Sequence, residues 1–343
     1  MKVLFVALFA FLNFTLTASA LPYSDVYIIG DSLSDQGNLF FATRQLTGQG
    51  IPADDHYFEG RFSNGKIYGD YLAEMLGLEI KPSSVGGTNF AYGGVRTDYN
   101  SVENDGTKPL PVRHGGSLPK GAFPWTLRLE TKAFEERNIT DSNALYIVFS
   151  GSNDVGDLIG PTLNRVIDPS KFIANSVKGI QETVQAFIDA GANDVLVPNI
   201  PDLGSVPLVF RQNPPGSTVV SDTATKLAKS YNAALDQMLN GFAAVNIIRF
   251  DTFSFVDKII QNPENFGFDN ATDPCYTGFV APDDGTNTVC DSPEKYVFWD
   301  AEHPTTALHQ LLADKMLKAI PEPSILLLFV IGLLPFAVYQ KKS

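Results

Sequence analysis

The chain has 343 residues, with 25 Lys and Arg against 38 Asp and Glu and a formal net charge of −13. That balance excludes nucleic acid and anionic membrane surfaces as non-specific partners, although a lipid can still be gripped by local apolar loops. Trimming both ends leaves about 300 residues, within reach of one large α/β domain with a substantial core.

Residues 1–20 read as a secretory signal. Lys2 precedes an apolar run over 3–16, and Ala18-Ser19-Ala20 supplies a small-residue cleavage site. The run is shorter than the roughly 20 residues of a membrane span, so export with a mature chain from Leu21 is expected. An apolar strand over 26–29 then ends in Gly30-Asp31-Ser32. A hydroxyl at the carboxyl end of a buried strand sits where open α/β sheets place their chemistry. The same three residue types are also ordinary turn formers, and Ser34 and Asp35 are suited to cap the helix that follows. A helix is expected over 67–76. A short strand near 88–90 leads to a second turn, Ala91-Tyr92-Gly93-Gly94. From 97 to 123 the chain has no periodicity and is rich in Gly, Pro and charge. A loop of that length in a compact domain is usually functional or disordered, and its place after the glycine pair predicts a border of the substrate cleft.

The spacing predicts a helix over 126–136 and a strand over 145–149. That strand runs into Gly151-Ser152-Asn153-Asp154, again a turn able to offer hydrogen-bond donors at the same sheet edge. Helix 171–190, strand 195–197, helix 221–241 and strand 245–250 follow. In the second of these helices Leu227, Tyr231, Leu235, Met238 and Leu239 recur at helical spacing and mark a core face. The alternation implies a mostly parallel sheet with helices on both faces.

Residues 262–292 form a second loop-like stretch that holds both cysteines, Cys275 and Cys290. An even count in an exported chain favours a disulfide over two free thiols. Closing a loop of about 15 residues is worth roughly 3 kcal/mol in the chain-entropy model, and it would steady the approach to Phe298-Trp299-Asp300-Ala301-Glu302-His303-Pro304. Taken alone, that segment also reads as a helix start, with Pro304 near the first position and a helix over 305–317. With Ser32, however, Asp300 and His303 complete what a weak alcohol nucleophile needs: an imidazole base and an acid to orient it. His309 lies off the i, i+4 spacing of a metal pair with His303, and His56 and His114 fall in loops and read as solvated. H-E-x-x-H, C-x-x-C, Walker and dinucleotide fingerprints do not occur, nor does the G-x-S-x-G elbow of α/β-hydrolases. No metal or cofactor is expected. At the end, Pro321-Glu322-Pro323 precedes an apolar run over 325–339 that contains Pro335, then Lys341-Lys342-Ser343.

Four segments in order, Gly30-Asp31-Ser32, Asn89-Phe90-Ala91-Tyr92-Gly93-Gly94, Gly151-Ser152-Asn153-Asp154 and Asp300-Ala301-Glu302-His303-Pro304, resemble the blocks of the GDSL (SGNH) lipases and esterases. Gly60-Arg61-Phe62-Ser63-Asn64-Gly65 is similar to that family's sequence between its first two blocks. The resemblance runs from about 25 to 317. It implies an SGNH-hydrolase, flavodoxin-like three-layer α/β/α fold with a mostly parallel central sheet. It further implies Ser32 as nucleophile, His303 as general base and Asp300 as its partner. The oxyanion hole would comprise the Ser32 N–H, a glycine N–H and the Asn153 amide; for the glycine, Gly94 is favoured and Gly93 competes. Asp154 is expected to hold its turn together.

The tail resembles the PEP-CTERM sorting signal of Gram-negative bacteria, in which a membrane enzyme handles a Pro-Glu-Pro motif, an apolar helix and a basic end. The positive-inside rule places such a basic end in the cytoplasm and the catalytic part outside; a lipid-anchor signal is the competing reading. The expected organisation is a signal at 1–20, a hydrolase domain at 21–319 and a sorting tail at 320–343. The expected protein is an exported serine ester hydrolase, at the cell envelope, surface or matrix, whose partners are an ester substrate and the sorting enzyme. Lipid or phospholipid esters are favoured by the family branch resembled, which holds bacterial phospholipases, haemolysins and lipid acyltransferases. A polysaccharide O-acetyl esterase or a lipid acyltransferase would use the same residues, and a non-catalytic surface protein is the alternative from another class.

Overall fold

Five consecutive buried residues form β1 (Val26–Gly30), and five more form β6 (Leu145–Phe149) beside it. A strand buried along its whole length has both sheet faces covered, the condition under which parallel sheets occur. A computed structural model describes residues 23–97 and 126–321, with the backbone of four short strands between 100 and 118. The signal segment, His114 and the tail from 322 onward lie outside the described residues.

The central sheet has the order β1-β6-β7-β8, all parallel, with β7 at Asp194–Pro198 and β8 at Asn246–Phe250. Residues 88–92 lie along the free edge of β1: Ile28 N–H donates to the Thr88 carbonyl at 3.2 Å, and Phe90 N–H donates to the Ile28 carbonyl at 2.7 Å. The chain therefore leaves β1 toward one edge and returns to the opposite side of β1 at β6. Between those two strands lies the topological switch point, where open α/β sheets bind ligands.

The helices are α1 (Asn38–Thr47), α2 (Tyr68–Met75), α3 (Leu127–Glu135), α4 (Ser152–Leu163), α5 (Pro169–Asp189), α6 (Pro207–Phe210), α7 (Val219–Leu239), α8 (Thr252–Gln261) and α9 (Thr306–Ala319). α3, α4, α5 and α7 pack in a group, and α2 packs on α9. The apolar stripe expected in α7 is the core face, with Leu227, Tyr231, Leu235 and Leu239 buried. Packing continues one residue past α9, since Ile320 is also buried.

Several elements differ from the expectation. The stretch from 97 to 123 contains two antiparallel pairs, β2 (Asn100–Ser101) with β3 (Asn104–Asp105) and β4 (Leu110–Val112) with β5 (Gly116–Leu118). The Asn153 segment is the first turn of α4 rather than a free turn, its helix masked in sequence by Gly156, Gly160 and Pro161. α8 was not expected either; its β-branched and aromatic residues are weak helix formers. It is started by Asp251, whose side chain accepts from the Ser254 N–H at 3.1 Å. The stretch 262–292 contains β9 (Asn270–Pro274), which pairs in parallel with β10 (Tyr296–Phe298). The Cys275–Cys290 disulfide is present. Its loop is fastened to the chain ahead of Asp300, because the Cys275 and Tyr276 N–H groups donate to the carbonyls of Phe298 and Trp299.

Candidate active site

The β1 strand ends at Gly30, and the next two residues begin a tight turn in which the Asp31 carbonyl accepts from the N–H groups of Ser34 and Asp35. Ser32 stands on that turn at the switch point. The Asp35 carboxylate accepts from the N–H groups of Gly37, Asn38 and Leu39, which starts α1 as expected for a cap. Ser34 does not cap; its hydroxyl is buried against the Tyr68 phenol at 2.8 Å.

From the other end of the chain, the loop between β10 and α9 brings in the acid and the imidazole. His303 Nε2 lies 3.0 Å from Ser32 Oγ, and His303 Nδ1 lies 2.8 Å from Asp300 Oδ2. Asp300 is wholly buried. Its Oδ1 accepts from the backbone N–H groups of Glu302 and His303, and its Oδ2 accepts from the Tyr57 phenol. Burial opposes ionisation of Asp300, but the facing imidazole and these donors outweigh it and hold the carboxyl below its ordinary range. Burial likewise opposes the imidazolium of His303, yet Asp300 raises its pKa above the ordinary value. The rings of Phe62 and Phe279 flank the imidazole at centroid distances of 5.0 and 5.8 Å.

The two glycines of the second block differ in their surroundings. Gly93 N–H is committed to Asp35 Oδ2 at 2.8 Å, and a Cβ there would stand 2.2 Å from the Phe62 ring. Gly94 has φ +76, a left-handed backbone that favours glycine. Among the described residues no protein acceptor takes the N–H of Ser32 or of Gly94. Asn153 sits in the first turn of α4, where helix N–H groups favour negative charge. One proton of its amide is given to the Val95 carbonyl at 3.0 Å, which leaves the other. Asp154, expected to hold its own turn, accepts instead from Thr97 N–H and so ties α4 to the glycine loop. Asp157 and Arg96 pair beside it, and Arg96 also donates to the Gly94 carbonyl at 2.8 Å.

These groups open on a cleft of about 900 Å³. Its lining includes the apolar residues Ile159, Leu163, Leu203, Val206, Val209 and Val220, and the disulfide loop contributes Phe279, Asp284 and Asn287. His56 is not solvated as expected: Nε2 lies 2.9 Å from an Asp283 oxygen, and the ring is 4.4 Å from that of Tyr276. His309 is buried and accepts from Tyr68 N–H. Sequence reasoning missed Tyr57 and Glu130, which reach the site from a loop and a helix distant in the chain and carry no motif of their own, and it named Phe62 within the Gly60–Gly65 segment without giving it a role.

The arrangement can remove a proton from a serine hydroxyl and offer donors beside it. The chain matches the family model for GDSL-like lipase/acylhydrolase over residues 26–316. It is 28% identical to a GDSL esterase/lipase of Arabidopsis thaliana over 85% of this chain and 88% of that protein. A second Arabidopsis GDSL esterase/lipase is also 28% identical, over 86% of this chain and 90% of that protein. Lipase 1 of Photorhabdus luminescens is 25% identical over 91% of this chain and 52% of its own length. The chain belongs to the GDSL-like lipase/acylhydrolase family.

Proposed function

We propose that the protein hydrolyses carboxylic esters of lipidic acyl groups through an acyl-enzyme on Ser32. The observation that carries this reading is the hydrogen-bonded series Ser32–His303–Asp300 opening on a cleft lined in part by aliphatic side chains. His303 Nε2 takes the Ser32 proton as Oγ attacks the ester carbonyl. The N–H groups of Ser32 and Gly94 and the Asn153 amide receive the oxyanion. His303 then returns the proton to the departing alcohol, and water repeats the sequence to free the acid and restore Ser32. Asp300 keeps the imidazole in the tautomer with its proton on Nδ1 and stabilises the imidazolium. The aliphatic lining gives an acyl chain a place to leave water, worth about 0.8 kcal/mol per buried methylene. An acetyl group would use almost none of it, which favours lipid acyl esters over acetylated glycan.

Ser32→Ala, assayed with p-nitrophenyl esters from acetate to palmitate, tests the reading. The parent should show kcat/KM rising with chain length and should label with a fluorophosphonate, and the variant should do neither. Hydrolysis by the purified variant at the parent rate would remove Ser32 from the chemistry. A preference for acetate would turn the substrate assignment toward acylated glycans.

Export by the segment at 1–20 and retention at a Gram-negative envelope or matrix through the tail belong to the same proposal. They rest on the sequence patterns at the two ends. Because Ile320 is packed in the core, a chain ending after Pro321 should retain its specific activity. In the host, activity should then move from envelope to medium; an unchanged distribution would reject the tail as a sorting signal.

A further inference from the structure

Glu130 lies in the first turn of α3, is fully buried, and is flanked by no motif. Its carboxylate reaches between the end of β1 and the neighbouring segment 88–92. Oε2 accepts from Gly30 N–H at 3.1 Å, and Oε1 accepts from Tyr92 N–H at 2.8 Å. Gly30 and Tyr92 each stand two residues before a proposed oxyanion donor, Ser32 on one side and Gly94 on the other. The same two backbones touch directly, since Tyr92 N–H also lies 3.2 Å from the Gly30 carbonyl. The helix that carries Glu130 is itself anchored just past the glycine turn: the N–H groups of Leu127 and Arg128 donate to the carbonyls of Arg96 and Thr97. One residue beyond Tyr92, Gly93 N–H is held by Asp35. Two carboxylates therefore fix two successive N–H groups, and Gly94 is the next.

We infer that Glu130 is a positioning residue for the oxyanion hole: by bridging Gly30 and Tyr92 it sets the spacing and direction of the Ser32 and Gly94 N–H donors. The inference rests on the proposed role of Ser32. Oxyanion donors act on charge that exists only in the transition state, and a misplacement of about 1 Å can cost about 10² in rate. The carboxylate touches neither substrate nor nucleophile, so its influence belongs in kcat rather than in substrate binding.

The test uses Glu130→Met, which fills similar space without an acceptor, and Glu130→Gln, which keeps one acceptor, in the full-length protein with Ser32→Ala as control. Rates are expressed per active site titrated with a fluorophosphonate, and affinity for an alkylboronic acid, which forms a tetrahedral adduct on the serine, is measured alongside. Glu130→Met should lower kcat about 10–10²-fold with KM within about twofold. Its boronate affinity should fall in step with kcat, and Glu130→Gln should lie between it and the parent. Parent kcat and boronate affinity in Glu130→Met would overturn the inference, as would a loss confined to KM or a fall in kcat with boronate affinity unchanged. If Glu130→Met does not fold, an intermediate Glu130→Gln supports the inference, and a Glu130→Gln indistinguishable from the parent assigns Glu130 to packing and overturns it. Activity persisting in Ser32→Ala would instead strike at the nucleophile assignment, a result separable from all of these.

Discussion

Tyr57 and Asp300 are 243 positions apart in sequence and joined by a 2.6 Å hydrogen bond in the fold. Burial and the facing carboxylate hold the Tyr57 phenol far above its ordinary range, so it is a permanent donor. The bond withdraws charge from the oxygen that also faces His303. Tyr57→Phe should leave that carboxylate more strongly attractive to the imidazolium and raise the His303 pKa. Ester hydrolysis needs neutral His303, so the acidic limb of kcat/KM against pH should move to higher pH. Loss of one donor to a charged group should lower kcat about tenfold. A pH–rate profile of parent and variant checks both statements, and a limb moving toward lower pH would contradict the sign.

Asn153→Ala should reduce kcat by about 10²–10³ with little change in KM, because the amide acts on charge that develops in the transition state. Steady-state kinetics on one soluble ester suffice. A loss confined to KM would make Asn153 a ground-state contact.

Asp31 precedes the nucleophile, is buried, and has one carboxylate oxygen without a protein partner. Burial pushes its carboxyl up to about 7. Between the ordinary carboxylate range and pH 7 the folded chain holds a proton here that the unfolded chain has released, so stability from this position falls as pH rises through that window. Asn at this position carries no such titration. Asp31→Asn should therefore gain on the parent progressively from pH 4 to 7, reaching on the order of 2–4 kcal/mol at pH 8. Urea unfolding at pH 4.5 and 8 measures the difference, and equal gains at both would place the charge cost elsewhere.

Replacing Cys275 and Cys290 together by Ala should cost about 3 kcal/mol from the loop of 15 residues that the bond closes. Because that loop is hydrogen-bonded to Phe298 and Trp299, immediately before Asp300, activity should fall at temperatures well below global unfolding. Residual activity followed alongside a thermal melt distinguishes the two effects. Coincident curves would confine the disulfide to global stability.

The parts legible in sequence were those with a local signature. β1 and β6 are unbroken apolar runs, and Ser32, Asn153, Asp300 and His303 each sit in a short turn or helix start whose residue types announce it. The competition between Gly93 and Gly94 had no local answer; what bears on it is Asp35, 58 positions away, which takes the Gly93 N–H. Tyr57 and Glu130 look like any loop tyrosine and any helix glutamate until the fold sets each against its partner. α4 was hidden because its glycines and proline speak against a helix, while its packing on α5 and α7 overrides them. The strands within 97–123 are two or three residues long, too short for a period of two to show.

Ser32 and His303 meet across 271 positions, the one on the turn that follows β1 and the other in the loop before α9. A chain leaving the ribosome thus holds its nucleophile from the outset and gains its base only when nearly all of its length has emerged. A partly synthesised or clipped form that lacks that loop has no imidazole beside Ser32. An ester-hydrolysing activity is thereby withheld until the loop that carries His303 has been made and folded onto the first strand.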